Sequence, residues 1–175
     1  MMTKGLFLDR DGVVNIEKNY LYKIEEFEFF DGIFDSLKKI QKLGYKIFII
    51  TNQSGIGRGY YSVEDFEKLT SWMIKEFKNN EIVISQVEFC PHGPNDNCTC
   101  RKPKTGMIDK ILEKHQIDLE NSWLVGDKSS DIKCAKNAGI SNTIQVKSGH
   151  DFDENESEAK YICETIKDIS EIIQT

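Results

Sequence analysis

The stretch Leu6-Phe7-Leu8-Asp9-Arg10-Asp11-Gly12-Val13-Val14-Asn15 decides how the rest of the chain is read. A short apolar run breaks into two carboxylates one residue apart, as at the end of a strand. In an extended backbone residues i and i+2 face the same way, and in parallel α/β sheets ligands bind at the carboxyl ends of strands. Two readings fit this stretch alone: an acidic metal site, and a polar turn closed by Gly12.

Working outward, Ile33, Leu37, Ile40 and Leu43 recur at helical spacing and Gly44 supplies a stop, which predicts a helix over Gly32–Leu43. Lys46–Ile50 is a continuous apolar strand that runs into the polar, glycine-rich Thr51-Asn52-Gln53-Ser54-Gly55-Ile56-Gly57-Arg58-Gly59. Ser62 and Asp65 form a capping-like start to a helix whose Phe66, Leu69, Met73 and Phe77 share one face; aromatics at that spacing are core, not a cofactor box. Gln86–Phe89 is a third strand, Met107–His115 a helix, Trp123–Val125 a fourth strand before Gly126-Asp127. Ser130–Ala138 reads as a helix stopped by Gly139, Thr143–Val146 as a fifth strand, and Ser157–Ile173 as a terminal helix. Strand alternating with helix implies an α/β fold: a three-layer Rossmann-like sandwich with a central, mainly parallel sheet covered on both faces.

Length and composition agree with one domain over residues 1–175. Hydrophobic residues make up 39% and charged residues 30%, without the marks of disorder or low complexity. A net charge of −6 argues against general nucleic-acid binding, which needs a basic face. No apolar run is long enough to span a bilayer, and the first residues lack a signal-peptide core, so a cytoplasmic monomer with no membrane partner is expected. Arg58, Arg101, Lys102, Lys104 and Lys128 lie in or near the loops after the strands, so the local field there can be positive on an acidic molecule.

The chemistry gathers at those strand ends. Strands one, two and four run into Asp9 and Asp11, Thr51 and Asn52, and Asp127; the loop after strand three carries Lys102. Parallel pairing brings three carboxylates, a hydroxyl and an amide to one crevice, and like charges crowded there demand a cation. Hard oxygen ligands suit Mg²⁺, which commonly joins one or two carboxylates to a substrate phosphate. With that charge in place Asp9 can attack phosphorus and form an aspartyl-phosphate, while Asp11 protonates the leaving oxygen and later activates water. Thr51, Asn52 and Lys102 offer donors to the phosphoryl oxygens. The Gly55–Gly59 segment can present backbone N–H groups to phosphate, or serve as a flexible turn; it matches neither the P-loop nor the dinucleotide fingerprint.

Cys90-Pro91-His92 and Cys98-Thr99-Cys100 form a second constellation. Three sulfurs and one imidazole fill a tetrahedral Zn²⁺ shell with no open position, so such a zinc is structural; buried or redox-active thiols are the competing reading. A metal there would order a loop too polar and proline-rich to pack by itself. It would also fix Arg101 and Lys102, which follow Cys100 directly. Cys134 and Cys163 fall in helix-like segments and read as buried packing.

On these residues the chain resembles the haloacid dehalogenase-like superfamily of phosphotransferases over nearly its whole length. That resemblance implies Asp9 as nucleophile, Asp11 as acid/base and metal ligand through its carbonyl, Thr51 and Lys102 as phosphate-stabilising groups, and Asp127 as a metal carboxylate. Asp131 completes the acidic fourth motif from behind the site. Only 18 residues separate Gly12 from Asp31, too few for a large cap domain. The Asp9–Gly12 string, the Thr51–Gly59 loop, the zinc loop, Arg101-Lys102-Pro103 and Gly126-Asp127-Lys128 together resemble the D-glycero-D-manno-heptose 1,7-bisphosphate 7-phosphatase family. This implies a small phosphorylated sugar as substrate, a place in nucleotide-activated heptose synthesis for lipopolysaccharide core or other surface glycans, and Glu17, Lys18, Asn19, Tyr20, Thr51, Asn52, Gln53, Ser54, Arg101, Lys102 and Lys128 as substrate contacts. Histidinol-phosphatase shares the carboxylates and the zinc loop and is the nearest alternative; a zinc-stabilised binding module without turnover is one of another class. His115 is expected at a helix surface or core edge, His150 in solvent, and Asp151–Glu158 as a solvated connection.

Overall fold

The computed structural model describes Met2–Gln174; Met1 and Thr175, included in the expected domain, lie outside the described residues. Six strands among these residues form one sheet in the order β3-β2-β1-β4-β5-β6, every neighbouring pair parallel. They are β1 (Thr3–Leu8), β2 (Lys46–Asn52), β3 (Ile84–Cys90), β4 (Ile117–Gly126), β5 (Asn142–Val146) and β6 (Tyr161–Cys163). The helices are α1 (Ile33–Lys42), α2 (Ser54–Gly57), α3 (Val63–Asn79), α4 (Gly106–Leu112), α5 (Ser129–Ala138) and α6 (Ile169–Ile172). None is long and apolar enough to cross a membrane.

The two-residue period of the strands sorts their side chains into two cores. Leu6, Leu8, Ile47, Ile49 and Val125 join Ile33, Leu37 and Ile40 of α1, Leu69, Met73 and Phe77 of α3, and Ile169 of α6. Phe7, Phe48, Ile50 and Leu124 face the other way, onto Met107, Ile108 and Ile111 of α4 and Cys134 and Ala135 of α5. Phe7 and Phe48 stack with ring centroids 5.1 Å apart. Since β1 to β3 run outward one way and β4 to β6 the other, the crossover helices change face between β1 and β4. That switch point is where a parallel sheet opens a crevice at its carboxyl edge, and Asp9 and Asp127 stand on its two sides.

The three-layer expectation holds, including the capping box of α3, in which Ser62 Oγ accepts from Asp65 N (3.1 Å) and Asp65 Oδ2 from Ser62 N (3.0 Å). The terminal helix expected over Ser157–Ile173 does not. Tyr161–Cys163 pairs with Ile144–Val146 as β6, because β5 otherwise leaves an open edge and Tyr161-Ile162-Cys163 suits a pleated, half-buried surface. Helix begins afresh at Thr165, whose hydroxyl accepts from Lys167 N (3.2 Å) and whose N–H donates to Asp168 (3.1 Å). Cys163 is therefore a half-buried strand residue, whereas Cys134 is a buried helical one. β4 is longer than Trp123–Val125 because its polar first half, from Ile117, pairs with Thr3 and Lys4 before a register shift. α4 stops short of His115, which sits at the core edge against the Phe48 ring with Nε2 3.1 Å from Gln86 Oε1.

Candidate active site

Asp9 extends the β1–β4 ladder by one bond, its N–H donating to Val125 O (3.0 Å), so strand pairing itself aims its carboxylate into the crevice. The chain then turns: Gly12 takes φ +88°, and a Cβ there would lie 2.7 Å from Asp127 Oδ2. Only glycine lets the turn approach the second carboxylate so closely.

Lys102 arrives from the loop after β3 and is 4% exposed. Its ammonium donates to Asp9 Oδ1 (2.9 Å) and Ile50 O (2.9 Å) and lies 2.7 Å from Asp131 Oδ1. Asn52 clamps this loop, accepting from Lys102 N (3.1 Å). Burial disfavours the charged amine, but Asp131 and Asp9 outweigh it and hold Lys102 above the ordinary lysine range. Asp131 Oδ2 accepts from the N–H groups of Asp127 (3.2 Å) and Lys128 (3.1 Å). Asp131 therefore buttresses the site from the first turn of α5.

Burial, then the neighbouring Asp131, pushes Asp9 well above the usual carboxylate range, with Lys102 opposing. Asp127 is buried too, yet the neighbouring Asp9 carboxyl group and the hydrogen bonds from His150 keep it below that range. Its Oδ2 accepts from His150 N (2.9 Å) and contacts His150 Nδ1 (2.7 Å). Facing an ionised carboxylate, which only accepts, Nδ1 carries the hydrogen. Asp127 Oδ1, equally buried, has no hydrogen-bond partner among the described residues. Ligand oxygens of Asp9, Asp127 and Asp131 all lie within 4.8 Å of one another. A buried, unpartnered carboxylate oxygen beside a carboxyl group that resists ionisation is the donor set a hard divalent cation satisfies.

Asp11 is dressed in donors: Oδ1 accepts from Arg10 (2.9 Å) and Asn15 (3.0 Å), Oδ2 from Gln53 Nε2 (3.0 Å). Thr51 is fully buried on β2, with its hydroxyl accepting from Gln53 (2.8 Å). A cavity of about 250 Å³ opens beyond Asp11, lined by Glu17, Asn19, Tyr20, Asn52, Gln53, Ser54, Arg58, Tyr61, Arg101, Lys128 and His150. Burial and the nearby Asp11 raise Glu17. Lys18 is turned away: its ammonium donates to Glu26 O (2.8 Å) and pairs with Glu28 (3.3 Å).

The second constellation also assembles. Cys90, His92, Cys98 and Cys100 place their ligand atoms within 4.8 Å of one another. His92 Nδ1 is 3.3 Å from Cys100 Sγ and 3.5 Å from Cys90 Sγ, and Cys90 and Cys98 are 3.8 Å apart. Zn–S bonds of about 2.3 Å at tetrahedral angles space sulfurs by roughly 3.8 Å; Cys90 and Cys98 stand at that spacing, while Cys90 and Cys100 lie 2.7 Å apart and would have to separate to share the ion, so the residue set suits zinc with a small opening of the cluster. Burial pushes Cys90 up to about 12; Cys98 falls to about 7, where burial is outweighed by the N–H groups of Arg101 and Cys100.

His150, expected in solvent, is half-exposed but bound to Asp127. Nothing near it in sequence indicates this, since Asp127 is 23 residues away; the usable signal is that it follows β5, whose carboxyl end neighbours that of β4. Arg58 and Tyr61 are further cleft residues not assigned as substrate contacts from sequence. The Asp151–Glu158 connection is largely exposed, with one 3-10 turn at Glu154–Glu156.

Residues 99–169 match the HAD-hydrolase-like family model. A Campylobacter jejuni protein named D-glycero-alpha-D-manno-heptose-1,7-bisphosphate 7-phosphatase is 50% identical over 146 residues, 83% of this chain and 84% of its own. A Helicobacter pylori protein named as the corresponding beta-heptose phosphatase is 49% identical over 142 residues, 81% of this chain and 82% of its own. The crystal structure of the D,D-heptose 1,7-bisphosphate phosphatase from B. bronchiseptica, complexed with magnesium and phosphate, superposes with a TM-score of 0.85 at 28% identity, covering 97% of each chain.

Proposed function

The chain belongs to the haloacid dehalogenase-like family of heptose-bisphosphate phosphatases, phosphomonoester hydrolases, and on that premise we propose that it removes the 7-phosphate of D-glycero-D-manno-heptose 1,7-bisphosphate. The observation that carries this reading is Lys102 set between Asp9 and Asp131 beside the unpartnered oxygen of Asp127. Mg²⁺ would be held by the carboxylates of Asp9 and Asp127 and the main-chain carbonyl of Asp11. When bound it supplies the positive charge that offsets repulsion between Asp9 and an anionic phosphate.

Asp9 attacks phosphorus; as the Asp9–phosphorus bond forms, the bond to the sugar oxygen breaks and Asp11 gives that oxygen its proton. Asp11 then takes a proton from water as the water oxygen joins phosphorus, which frees Asp9 and inorganic phosphate. The Thr51 hydroxyl and Lys102 ammonium hold the phosphoryl oxygens where charge develops. Zinc would be held by Cys90, His92, Cys98 and Cys100 and would order the loop that carries Arg101 and Lys102.

Glu17, Asn19, Tyr20, Asn52, Ser54, Arg101 and Lys128 line the cleft and are the proposed sugar contacts; Lys18 supports that loop by its ties to Glu26 and Glu28. Arg58, Arg101 and Lys128 give the cleft positive charge, which suits the second phosphate of the bisphosphate better than the ammonium of histidinol phosphate. We also propose a monomer and place the enzyme in the cytoplasm, feeding nucleotide-activated heptose for surface glycans. Purified protein given both heptose bisphosphate anomers and histidinol phosphate with Mg²⁺ tests this. We expect at least tenfold higher kcat/KM for a heptose bisphosphate; higher kcat/KM for histidinol phosphate overturns it. Turnover no greater than that of Asp9→Asn on any phosphomonoester favours a binding module instead.

A further inference from the structure

Gln53 was expected to touch substrate, but its side chain is fully committed elsewhere. It is 3% exposed. One amide N–H serves Asp11 Oδ2 (3.0 Å) and the other Thr51 Oγ1 (2.8 Å), while Oε1 accepts from the hydroxyl of Tyr61. An amide has two N–H bonds and one carbonyl, so no donor remains for a sugar. Tyr61 is 6% exposed and stacks on Tyr22 with centroids 5.2 Å apart. It therefore holds its hydroxyl in place, and that hydroxyl sets which way the amide faces.

The consequence falls on Asp11. Its Oδ1 is saturated by Arg10 Nη2 (2.9 Å), Arg10 Nε (3.3 Å) and Asn15 Nδ2 (3.0 Å). Among the described residues Oδ2 has one donor, Gln53, and Asp11 lines the cleft wall. If the amide flipped, its carbonyl would face Oδ2 and accept the acid's proton, diverting it from the substrate. The donation from Tyr61 to Oε1 favours the observed orientation, since a flip would leave that hydroxyl to give up its donation and accept from Nε2 instead.

We infer that Gln53, locked by Tyr61, is a positioning residue for Asp11: it makes Oδ2 the oxygen that hands its proton to the departing sugar oxygen. This rests on the reading of Asp11 as acid/base given above. The transfer itself is the one already written, with the proton leaving Oδ2 and ending on the sugar oxygen.

The test uses leaving groups. A sugar oxygen needs a proton as its bond to phosphorus breaks; p-nitrophenolate does not. In kcat/KM, which reports the first phosphoryl transfer, Tyr61→Phe should lose about tenfold on heptose bisphosphate and less than twofold on p-nitrophenyl phosphate. Gln53→Met also frees the Thr51 hydroxyl, so it should lose activity on both substrates but at least fivefold more on heptose bisphosphate, and urea midpoints confirm that each variant is folded. Equal losses on both substrates mean a general structural defect and overturn the inference. A rise in KM for heptose bisphosphate at unchanged kcat restores Gln53 as a sugar contact and also overturns it. Asp11→Asn separates the two claims: if it shows no leaving-group asymmetry, the acid/base reading of Asp11 fails; if it does and the Tyr61 and Gln53 variants do not, only the positioning role fails.

Discussion

Replacing Lys102 by Met keeps most of the apolar stem and deletes one charge. Three contacts go with it: Asp9 at 2.9 Å, Ile50 O at 2.9 Å and Asp131 at 2.7 Å. Two carboxyl groups, 8% and 1% exposed, lose their common cation. Breaking a buried pair from one side costs about 3–5 kcal/mol, since the remaining charge stays desolvated. For a chain of this size 1 kcal/mol moves Tm by about 2–4 °C, so Lys102→Met should melt ~6–20 °C lower in Mg²⁺-free buffer at pH 7.5. Urea unfolding should give a lower midpoint at unchanged slope. Adding Asp131→Asn to the variant removes one orphaned charge and should recover at least half of the stability, but none of the activity, which falls about 10²–10³-fold with the loss of a phosphoryl donor. A single variant within 1 kcal/mol of the parent, roughly the level of an exposed pair, refutes the claim that Lys102 holds this cluster together.

Two further outcomes follow from the charges and the loop. Asp9 is raised in the folded chain, so that group binds its proton more tightly folded than unfolded. Its contribution to metal-free stability is fully present at low pH and is lost as pH rises from the unfolded carboxylate range through the raised folded value. Mg²⁺ competes with that proton, so the Tm gain from saturating Mg²⁺ should be larger at pH 7.5 than at pH 5; equal gains contradict the assignment. Stripping metal from the Cys90–Cys100 loop with a thiol-selective chelator should release one zinc per chain by metal analysis and lower kcat at least tenfold through Lys102 and Arg101, with zinc restoring it. Full activity in zinc-free protein refutes a link between the two constellations.

Much of this arrangement was legible because strand chemistry and site chemistry share the same residues. Leu6-Phe7-Leu8 and Lys46–Ile50 announce buried strands, and the polar residues directly after them can only emerge at the sheet edge. Cys90, His92, Cys98 and Cys100 were legible by spacing. What stayed hidden was tertiary. Tyr161-Ile162-Cys163 became a strand because β5 offered it an edge, against a helical pattern that continues into Ile166 and Ile169. His150 meets Asp127 only once β4 and β5 lie side by side, and Lys18 leaves the cleft for Glu26 and Glu28, partners no local pattern names. Gln53 sits in the expected loop, yet its amide orientation depends on Tyr61, which only packing reveals.

The alternation of Leu6, Phe7 and Leu8 between opposite cores has a consequence for how such a protein can be edited. Asp9 comes one step after that alternation, so deleting a single residue within β1 would swap which core each strand residue enters and rotate the Asp9 carboxylate, the proposed nucleophile, to the wrong side of the sheet. Folding register and reactivity are the same variable there. Length changes are better placed in the exposed Asp153–Glu156 stretch; one inside β1 disturbs fold and site together, and a library that varies substrate preference should leave its alternation untouched.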